Sequence, residues 1–263
     1  MTKLWIVAVF LVSLSAWAQP AIAPPQLGFV EDSTSTLRPA YGIAGNFVLG
    51  RAVPGEIGVD KIVTEAFSGS FGLLKTDSSL ASFDSLGKLL GSMDAEPGPA
   101  LFAFSPDGTT ALAYIASTNA LVEWRGNAFA PVSLNSEELA ADAVLAIAFP
   151  APLEAELIVQ RKDTVWKLVL PLGAAGTISQ KALIGVTAPL LVLPSGDLVY
   201  HDASGILVRR TEASEVHIAA ALPASFSLQQ MNQDWVQLTD LNGSSRFAIR
   251  TTPGREAFYR LPE

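Results

Sequence analysis

The stretch AFSPDGTTALAYIASTNALVEW, residues 103–124, contains the pattern that decides the fold of this chain. One apolar run ends at a Pro-Asp-Gly turn and a second apolar run follows it. A polar turn then leads to a third run, which ends on Trp124. Proline fixes φ, aspartate hydrogen-bonds the local backbone and glycine accepts positive φ, so these residues favour a tight turn. The pattern predicts three short antiparallel strands.

The same order of runs and turns returns along the chain. Copies occur at residues 66–83, 146–166 and 190–208, with a weaker copy at 226–249. Each copy ends on a large apolar residue, and successive ends are 41 or 42 residues apart. These end positions are Phe83, Trp124, Trp166, Val208 and Ile249. A period of roughly 40–45 residues with about four strands per unit is typical of β-propeller blades.

We therefore expect an all-β fold, a small β-propeller of five or six four-stranded blades. Each small sheet is covered on both faces only when it is stacked between two neighbours. The propeller domain is predicted to cover residues 37–263. Its repeats are placed near residues 66–95, 103–135, 146–180, 188–220 and 226–262.

The count of blades depends on the N-terminal part of the domain. The runs at residues 46–49 and 57–63 either form a sixth blade or supply a strand that closes the ring against residues 256–260. A β-sandwich is the alternative fold, because short strands and frequent turns also suit it. A sandwich does not predict the constant interval. Residues 136–144 give the best helix signal, one or two turns long.

The first eighteen residues have the layout of a secretory signal peptide. Lys3 precedes the apolar run at residues 4–14, and Ala16-Trp17-Ala18 forms a small-x-small cleavage site. The sequence predicts cleavage after Ala18 and export to the periplasm or the medium, with residues 19–36 as a flexible N-terminal segment. No later apolar run approaches the ~20 residues that a bilayer span needs, so we expect no membrane span in the mature chain.

Composition excludes several classes of function. The chain has 17 Lys and Arg against 25 Asp and Glu, a net charge of −8. Nucleic-acid binding needs a basic surface, so we expect no nucleic-acid partner. There is no cysteine, so a domain exported without disulfides must be stabilised by its core.

No motif predicts catalytic, metal or cofactor residues. The chain has two histidines, His201 and His217, sixteen residues apart and without the spacing of metal ligands. A Ser-His-Asp set that uses His201 and Asp202 can be written down, but the chain has no G-x-S-x-G element. Phosphate-binding glycine motifs and an EF-hand loop are also missing from the sequence.

Two short segments resemble known propeller repeats. Phe104-Ser105-Pro106-Asp107-Gly108 resembles the F-S-P-D-G element of exported bacterial propellers of the TolB, PD40 and YVTN kinds. The stretch LPSGDLVY, residues 193–200, is similar to the P-x-G-x-L-Y pattern of NHL-type propellers. The resemblance implies a propeller fold and, often, protein or ligand binding. It implies no catalytic set.

Three residues are candidates for binding. Trp235 lies out of register with the other repeat tryptophans, and it could stack on a ligand at a mouth of the channel, although tryptophans in strands usually pack in cores. Arg38 and Tyr41 form a polar-aromatic cluster near the N-terminus. We expect an exported, non-enzymatic binding or scaffold protein that recognises a protein or glycan partner through a propeller face. The alternative is an extracytoplasmic hydrolase that acts on a sugar or ester with acids from several blades.

Overall fold

The structure, a computed structural model, describes most of the chain after the predicted signal peptide. The described ranges are residues 24–32, 36–53, 61–133, 141–151, 153–172, 178–212, 214–243 and 245–262. The predicted signal peptide and residues 136–140 of the predicted helix lie outside them. Ala143 and Val144, the end of that helix prediction, begin a strand instead. Within the described ranges no helix has the length and apolar character needed to cross a membrane.

The described residues form twenty-three β-strands, numbered in chain order. They are β1 (Gln26–Glu31), β2 (Leu37–Ile43), β3 (Asn46–Leu49), β4 (Ile62–Phe67), β5 (Phe71–Thr76), β6 (Ser79–Asp84), β7 (Leu89–Asp94), β8 (Ala100–Phe104), β9 (Thr110–Ile115), β10 (Ala120–Arg125), β11 (Ala128–Val132), β12 (Ala143–Ala151), β13 (Glu154–Arg161), β14 (Thr164–Pro171), β15 (Ser179–Leu183), β16 (Leu191–Val192), β17 (Leu198–Asp202), β18 (Gly205–Arg209), β19 (Glu215–Ala219), β20 (Phe226–Gln230), β21 (Trp235–Asp240), β22 (Arg246–Arg250) and β23 (Ala257–Arg260).

These strands form six antiparallel sheets in which neighbours along the chain are neighbours in the sheet. We call them blades 1 to 6: β1–β3, β4–β7, β8–β11, β12–β15, β16–β19 and β20–β23. The predicted all-β fold and β-propeller are confirmed, and the count of blades is six. Blade 1 has three strands in the described residues, whereas each of the others has four.

The core consists of six apolar clusters, one at each interface between adjacent blades. Successive side chains of a strand point to opposite faces of its sheet. Leu73 of β5 therefore packs toward blade 3, and the next residue, Leu74, packs toward blade 1. Because neighbouring blades cover both faces of these sheets, β5 and β9 are buried along their whole length.

The repeating bulky residues face the preceding blade, with one exception. Phe83, Trp124 and Ile249 lie in the clusters that their third strands share with the blade before, and Trp166 packs in the same way. Val208 instead packs between blades 5 and 6, and Leu207 takes the equivalent position. The member of this series in blade 5 is therefore Leu207 and not Val208, because neighbouring residues of a strand point to opposite faces of the sheet.

Side-chain packing on both flanks of blade 1 closes the ring. On one flank the Phe29 ring lies 5.0 Å from the rings of Phe67 and Phe83 in blade 2. On the other flank the Phe47 ring lies 5.7 Å from the Trp235 ring of blade 6.

The alternative in which the run at residues 46–49 pairs with residues 256–260 is wrong, since β3 pairs with β2 and β23 pairs with β22. Of the run at residues 57–63, residues 57–60 lie outside the described ranges, and Ile62 begins β4 of blade 2.

Blade 1 runs differently from the other blades at the channel. In each of the other blades the first strand runs toward the turn that joins it to the second strand. Strand β20, for example, ends just before the turn at residues 232–234. In blade 1 it is the start of β1, at Gln26 and Leu27, that lies beside residues 232–234. Strand β1 therefore has the direction of a second strand, and β4 and β20 come into contact across the position of a first strand.

Part of the segment that the sequence predicts to be flexible is a strand in this arrangement. Residues 19–36 were expected to be flexible, whereas Gln26–Glu31 forms β1, in which the four central residues are buried. Gly28 explains how β1 approaches blade 6 so closely. A Cβ atom at this position would lie 2.7 Å from the carbonyl oxygen of Met231.

The close approach of the Phe83 ring, rather than the backbone conformation of Gly72, should require a glycine at this position. The two residues are cross-strand partners, and a Cβ atom on Gly72 would lie 2.2 Å from Phe83 Cζ. We expect Gly72→Ala to lower the free energy of unfolding by about 1–3 kcal/mol, because the buried ring must shift. In a Phe83→Leu background the same substitution should cost clearly less. Urea denaturation of the four proteins of this cycle measures the coupling, and equal costs in both backgrounds would contradict the packing described.

Candidate functional site

Turns between first and second strands meet at one face of the propeller. Ser70 Oγ in the turn of blade 2 donates a hydrogen bond to the carbonyl oxygen of Gly108 in blade 3, at 3.1 Å. Gln233 Nε2 in the turn of blade 6 donates to the carbonyl oxygen of Pro106, at 3.2 Å. Asp107 accepts hydrogen bonds from Ser105 and Thr109, and these bonds hold its pKa below the usual value. The F-S-P-D-G element is therefore a structural turn at the mouth of the channel.

A groove of ≈ 380 Å³ lies on this face where blades 6, 1 and 2 meet. We call it the seam groove. Trp235 lines it but is only 6% exposed. Its ring packs against Phe47 and Tyr259, and the Arg250 guanidinium lies 5.8 Å from its centroid. The indole is thus mainly part of the core between blades 6 and 1, with one edge at the groove.

The other two predicted binding residues lie outside the seam groove. Arg38 Nε donates to Asp32 Oδ2 at 2.5 Å, and Arg38 Nη1 donates to the carbonyl oxygen of Gly50 at 3.2 Å. Tyr41 is half-buried on β2, and its ring packs against Gly50. The structure does not bring Trp235, Arg38 and Tyr41 into one pocket, and their role in binding stays a prediction.

The opposite face carries a larger concavity, the 2–3 groove, between blades 2 and 3. It has a volume of ≈ 560 Å³. Its apolar lining includes Met93, Ile115, Val122 and Pro131. Three acidic residues line its rim: Asp77 in the turn after β5, Asp94 at the end of β7, and Glu96 just beyond it. Among the described residues, no lysine or arginine lines this groove.

The three rim acids differ from the acids that build turns. Asp84, Asp202 and Asp240 each accept hydrogen bonds from backbone N–H groups of their own turns. Within the part of the chain that the structure describes, the rim acids make no ion pair within 4 Å. Two of them, Asp77 and Glu96, act electrostatically on Lys75, whose side chain is fully buried. Burial lowers the pKa of Lys75, and Asp77 and Glu96 partly oppose that shift.

The third concavity lies in the central channel and has a volume of ≈ 220 Å³. The first strands of blades 2 to 6 line it, with mostly apolar side chains. Glu65 of β4 is also in the lining and is 6% exposed. Burial, and secondarily the charge of Glu31, raise the pKa of Glu65 to about 7, although Arg246 and a hydrogen bond from the Glu31 backbone N–H act in the opposite direction.

The sequence contains a signal for Glu65 that the repeat analysis missed. The corresponding first strand of blade 3 reads ALFAF, and that of blade 2 reads IVTEAF. A glutamate in an otherwise apolar inner strand marks a polar group facing the channel or an interface. The copy of the repeat in blade 2, residues 66–83, begins one position after Glu65.

A Ser-His-Asp cluster exists but does not have the geometry of a catalytic triad. Ser204 Oγ lies 2.9 Å from His217 Nε2, and Asp202 Oδ1 lies 3.9 Å from the same nitrogen. A triad needs the carboxylate on one ring nitrogen and the hydroxyl on the other. Asp202 instead accepts from Ser204 Oγ at 2.7 Å, as in a turn. His201 lies apart from this cluster, with its ring against Phe226.

Metal ligands do not converge in the described ranges. No group of three or more histidine, aspartate or glutamate side chains there could hold a metal ion.

Comparison with known proteins shows the fold and no closer kinship. No protein-family model matches the chain, and no curated protein sequence matches it. TolB from Acinetobacter baumannii superposes with a TM-score of 0.58 at 13% identity, over 92% of this chain and 62% of that one. The chain thus spans less than two thirds of the TolB chain that it matches.

Two further solved structures give similar superpositions. A chain of a nidogen/laminin complex matches with a TM-score of 0.57 and 13% identity, covering 89% of this chain and 92% of that chain. PorZ, a surface component of the type-IX secretion system of Porphyromonas gingivalis, matches with a TM-score of 0.50 and 13% identity, over 89% of this chain and 31% of that one. Identities this low show the β-propeller fold alone.

The buried Glu65 should make stability depend on pH in a definite direction. Its pKa rises from 4.5 in the unfolded chain to about 7 in the fold. The contribution of Glu65 to the free energy of unfolding is therefore complete below pH 4.5, and it is lost as the pH rises through 7. We expect the free energy of unfolding of the wild type, minus that of Glu65→Gln, to fall by about 3 kcal/mol between pH 4.5 and 8.5. Chemical denaturation across this range measures the difference. A constant difference would contradict the burial of an ionisable Glu65.

Proposed function

We propose that this chain is an exported, non-enzymatic binding protein that holds a basic, partly apolar segment of a partner protein in the 2–3 groove. The observation that carries the proposal is the combination of an apolar floor with three rim acids that make no ion pair within 4 Å in the described residues. An extended segment that alternates lysine or arginine with apolar residues would place apolar side chains on Met93, Ile115 and Val122. Its cationic side chains would meet the rim acids.

Charge and rigidity support this choice of partner. The chain has a net charge of −8, which attracts a basic segment and speeds encounter at low salt. The groove lies between two sheets that share a closely packed cluster, in which the Phe71 and Trp124 rings stack at 4.0 Å and Trp124 Nε1 donates to Ser82 Oγ at 2.8 Å. A preformed groove loses little conformational entropy when it binds a segment.

The hydrolase alternative gains no support from the residues that could serve it. Ser204, His217 and Asp202 share a single ring nitrogen, as described above. The likeness to TolB and to the nidogen/laminin chain extends to the fold, and binding of a protein partner by this chain is our proposal. Export is part of it, because it rests on the N-terminal pattern of Lys3, the apolar residues 4–14 and Ala16-Trp17-Ala18.

Peptides of controlled composition test the groove directly. We expect a ten-residue peptide of alternating lysine and leucine to bind in a fluorescence-polarisation assay at physiological salt. The variant Asp77→Asn/Asp94→Asn/Glu96→Gln should bind it roughly tenfold more weakly, since three exposed rim charges that contribute about 0.5 kcal/mol each are removed. A glutamate-leucine peptide should not bind, and a lysine-serine peptide should bind more weakly because the apolar floor is unused.

A matched variant separates the groove from general attraction to an acidic protein. Asp163→Asn/Glu212→Gln/Asp234→Asn changes the net charge equally at three exposed positions outside the groove. This variant should keep its affinity within about twofold of wild type. Equal losses in both triple variants, or no binding of the lysine-leucine peptide, would exclude the 2–3 groove as the binding site.

Export has a separate test. Expressed with its complete N-terminus in a Gram-negative host, the protein should be recovered outside the cytoplasm with Gln19 as its first residue, because signal peptidase cuts after the small-x-small site. Cell fractionation followed by intact-mass spectrometry measures both location and N-terminus. Recovery of the uncleaved chain in the cytoplasm would overturn this part of the proposal.

A further inference from the structure

The apolar floor of the 2–3 groove contains a sulfur atom. Met93 lines the groove and packs against the apolar cluster between blades 2 and 3. Its cross-strand partner is Leu80, which is fully buried in that cluster. Directly opposite residues of two antiparallel strands project from the same face of the sheet, so the Met93 side chain faces blade 3. It is only half-buried there, and a segment bound in the groove would touch it.

Accessibility distinguishes Met93 from the other methionines of the chain. The sequence has three methionines and no cysteine. Met1 belongs to the predicted signal peptide and would be removed with it. Met231 is 1% exposed, in the apolar cluster between blades 6 and 1. Of the two methionines that remain after cleavage, Met93 is therefore the one whose side chain is open to solvent, and no thiol competes with it for an oxidant.

An accessible thioether is oxidised by peroxides. One oxygen atom passes from the peroxide to the sulfur, the O–O bond breaks, and hydrogen peroxide is reduced to water. The sulfur loses two electrons and becomes a sulfoxide, which methionine sulfoxide reductases return to the thioether. Hydrogen peroxide carries no charge, so the acids on the rim of the groove do not repel it.

The sulfoxide oxygen changes what the groove can bind. The side chains of Ile115 and Val122, which line the groove with Met93, carry no hydrogen-bond donor. An apolar side chain of a bound segment would remove the new oxygen from water without a hydrogen bond in return, and this costs free energy. The charges of the rim acids are unchanged. Oxidation therefore weakens the hold on apolar side chains and leaves the attraction for cations.

We propose that Met93 is a reversible oxidation site, through which a peroxide outside the cytoplasm lowers the affinity of the 2–3 groove for its partner. The inference rests on the proposed function of this groove, because the loss of affinity concerns the same basic, partly apolar segment. Its chemical part, the selective oxidation of Met93 in the folded chain, is independent of any partner.

Mass spectrometry tests the chemical part. Treated with hydrogen peroxide, the folded mature chain should gain one oxygen atom, which peptide mapping should locate at Met93. In urea the same chain should gain two, because unfolding also opens Met231 to the oxidant. Comparable oxidation of Met93 and Met231 in the folded protein would overturn the proposal.

Fluorescence polarisation with the lysine-leucine peptide measures the effect on binding. We expect the oxidised protein to bind this peptide roughly fivefold more weakly than the reduced protein, and treatment with the reductases to restore the affinity. The lysine-serine peptide makes no use of the apolar floor. Its affinity for the two forms of the protein should agree within about twofold, because the rim charges are the same.

Two methionine variants assign the effect to one sulfur. Met93→Leu should bind the lysine-leucine peptide within about twofold of wild type and should be insensitive to peroxide, because leucine has a similar volume and no sulfur. Met231→Leu is the matched control, and it should lose affinity on oxidation as the wild type does. Thermal melts establish that each variant folds, and the two peptides on the wild type decide the question even where one does not.

The outcomes separate the regulation from the binding itself. If the reduced protein binds the lysine-leucine peptide and the oxidised protein binds it equally well, the regulation is wrong and the groove remains a binding site. If Met93→Leu loses affinity after peroxide as the wild type does, another residue is responsible and the inference fails. If the reduced protein does not bind the peptide, the proposed function fails and the regulation falls with it.

Discussion

Mutual covering of sheet faces is the constraint on which this structure depends. The strands of each blade carry apolar side chains on both faces, so a single sheet would expose half of its core to water. Placing six sheets around an axis creates six interfaces, and each one holds an apolar cluster. The arrangement is stable only when the ring is complete, because an open ring leaves two uncovered faces. Blade 1, which closes it, is therefore indispensable.

The closing blade also explains where the polar groups of the channel lie. Strand β1 runs as a second strand, so β4 and β20 approach each other directly at the axis. Glu65 and Gln230 occupy these two strands, and both are buried there. The inner strands of blades 3 to 5 carry small or apolar residues instead. The same feature that seals the ring thus leaves polar side chains on two of the strands that line the channel.

The interval between bulky residues predicted the architecture because it reflects a physical repeat. Each of blades 2 to 6 has a large side chain at the same depth of its third strand, and the 41- or 42-residue spacing reflects this position. The interval could not decide which of two neighbouring residues in blade 5 belongs to the series, since Leu207 and Val208 are both apolar and buried. Only packing shows that Leu207 faces blade 4.

The functional surfaces were far less predictable. Asp77, Asp94 and Glu96 look in sequence like ordinary turn and linker acids, and their convergence depends on how blades 2 and 3 meet. Trp235 differed in sequence from the other repeat tryptophans by its register, yet its ring packs against Phe47 in the interface between blades 6 and 1. Residue types alone cannot separate a tryptophan that binds a ligand from one that closes a ring, because both need a large apolar surface.

Nuclear Overhauser effects between labelled aromatic rings on the two flanks of blade 1 test the closed ring most directly. The structure predicts cross-peaks from Phe29 to Phe67, with centroids 5.0 Å apart, and from Phe47 to Trp235, at 5.7 Å. Observation of both sets in one folded protein would place blade 1 between blades 6 and 2. Absence of either set, with the remaining inter-blade contacts intact, would show that blade 1 does not close the ring.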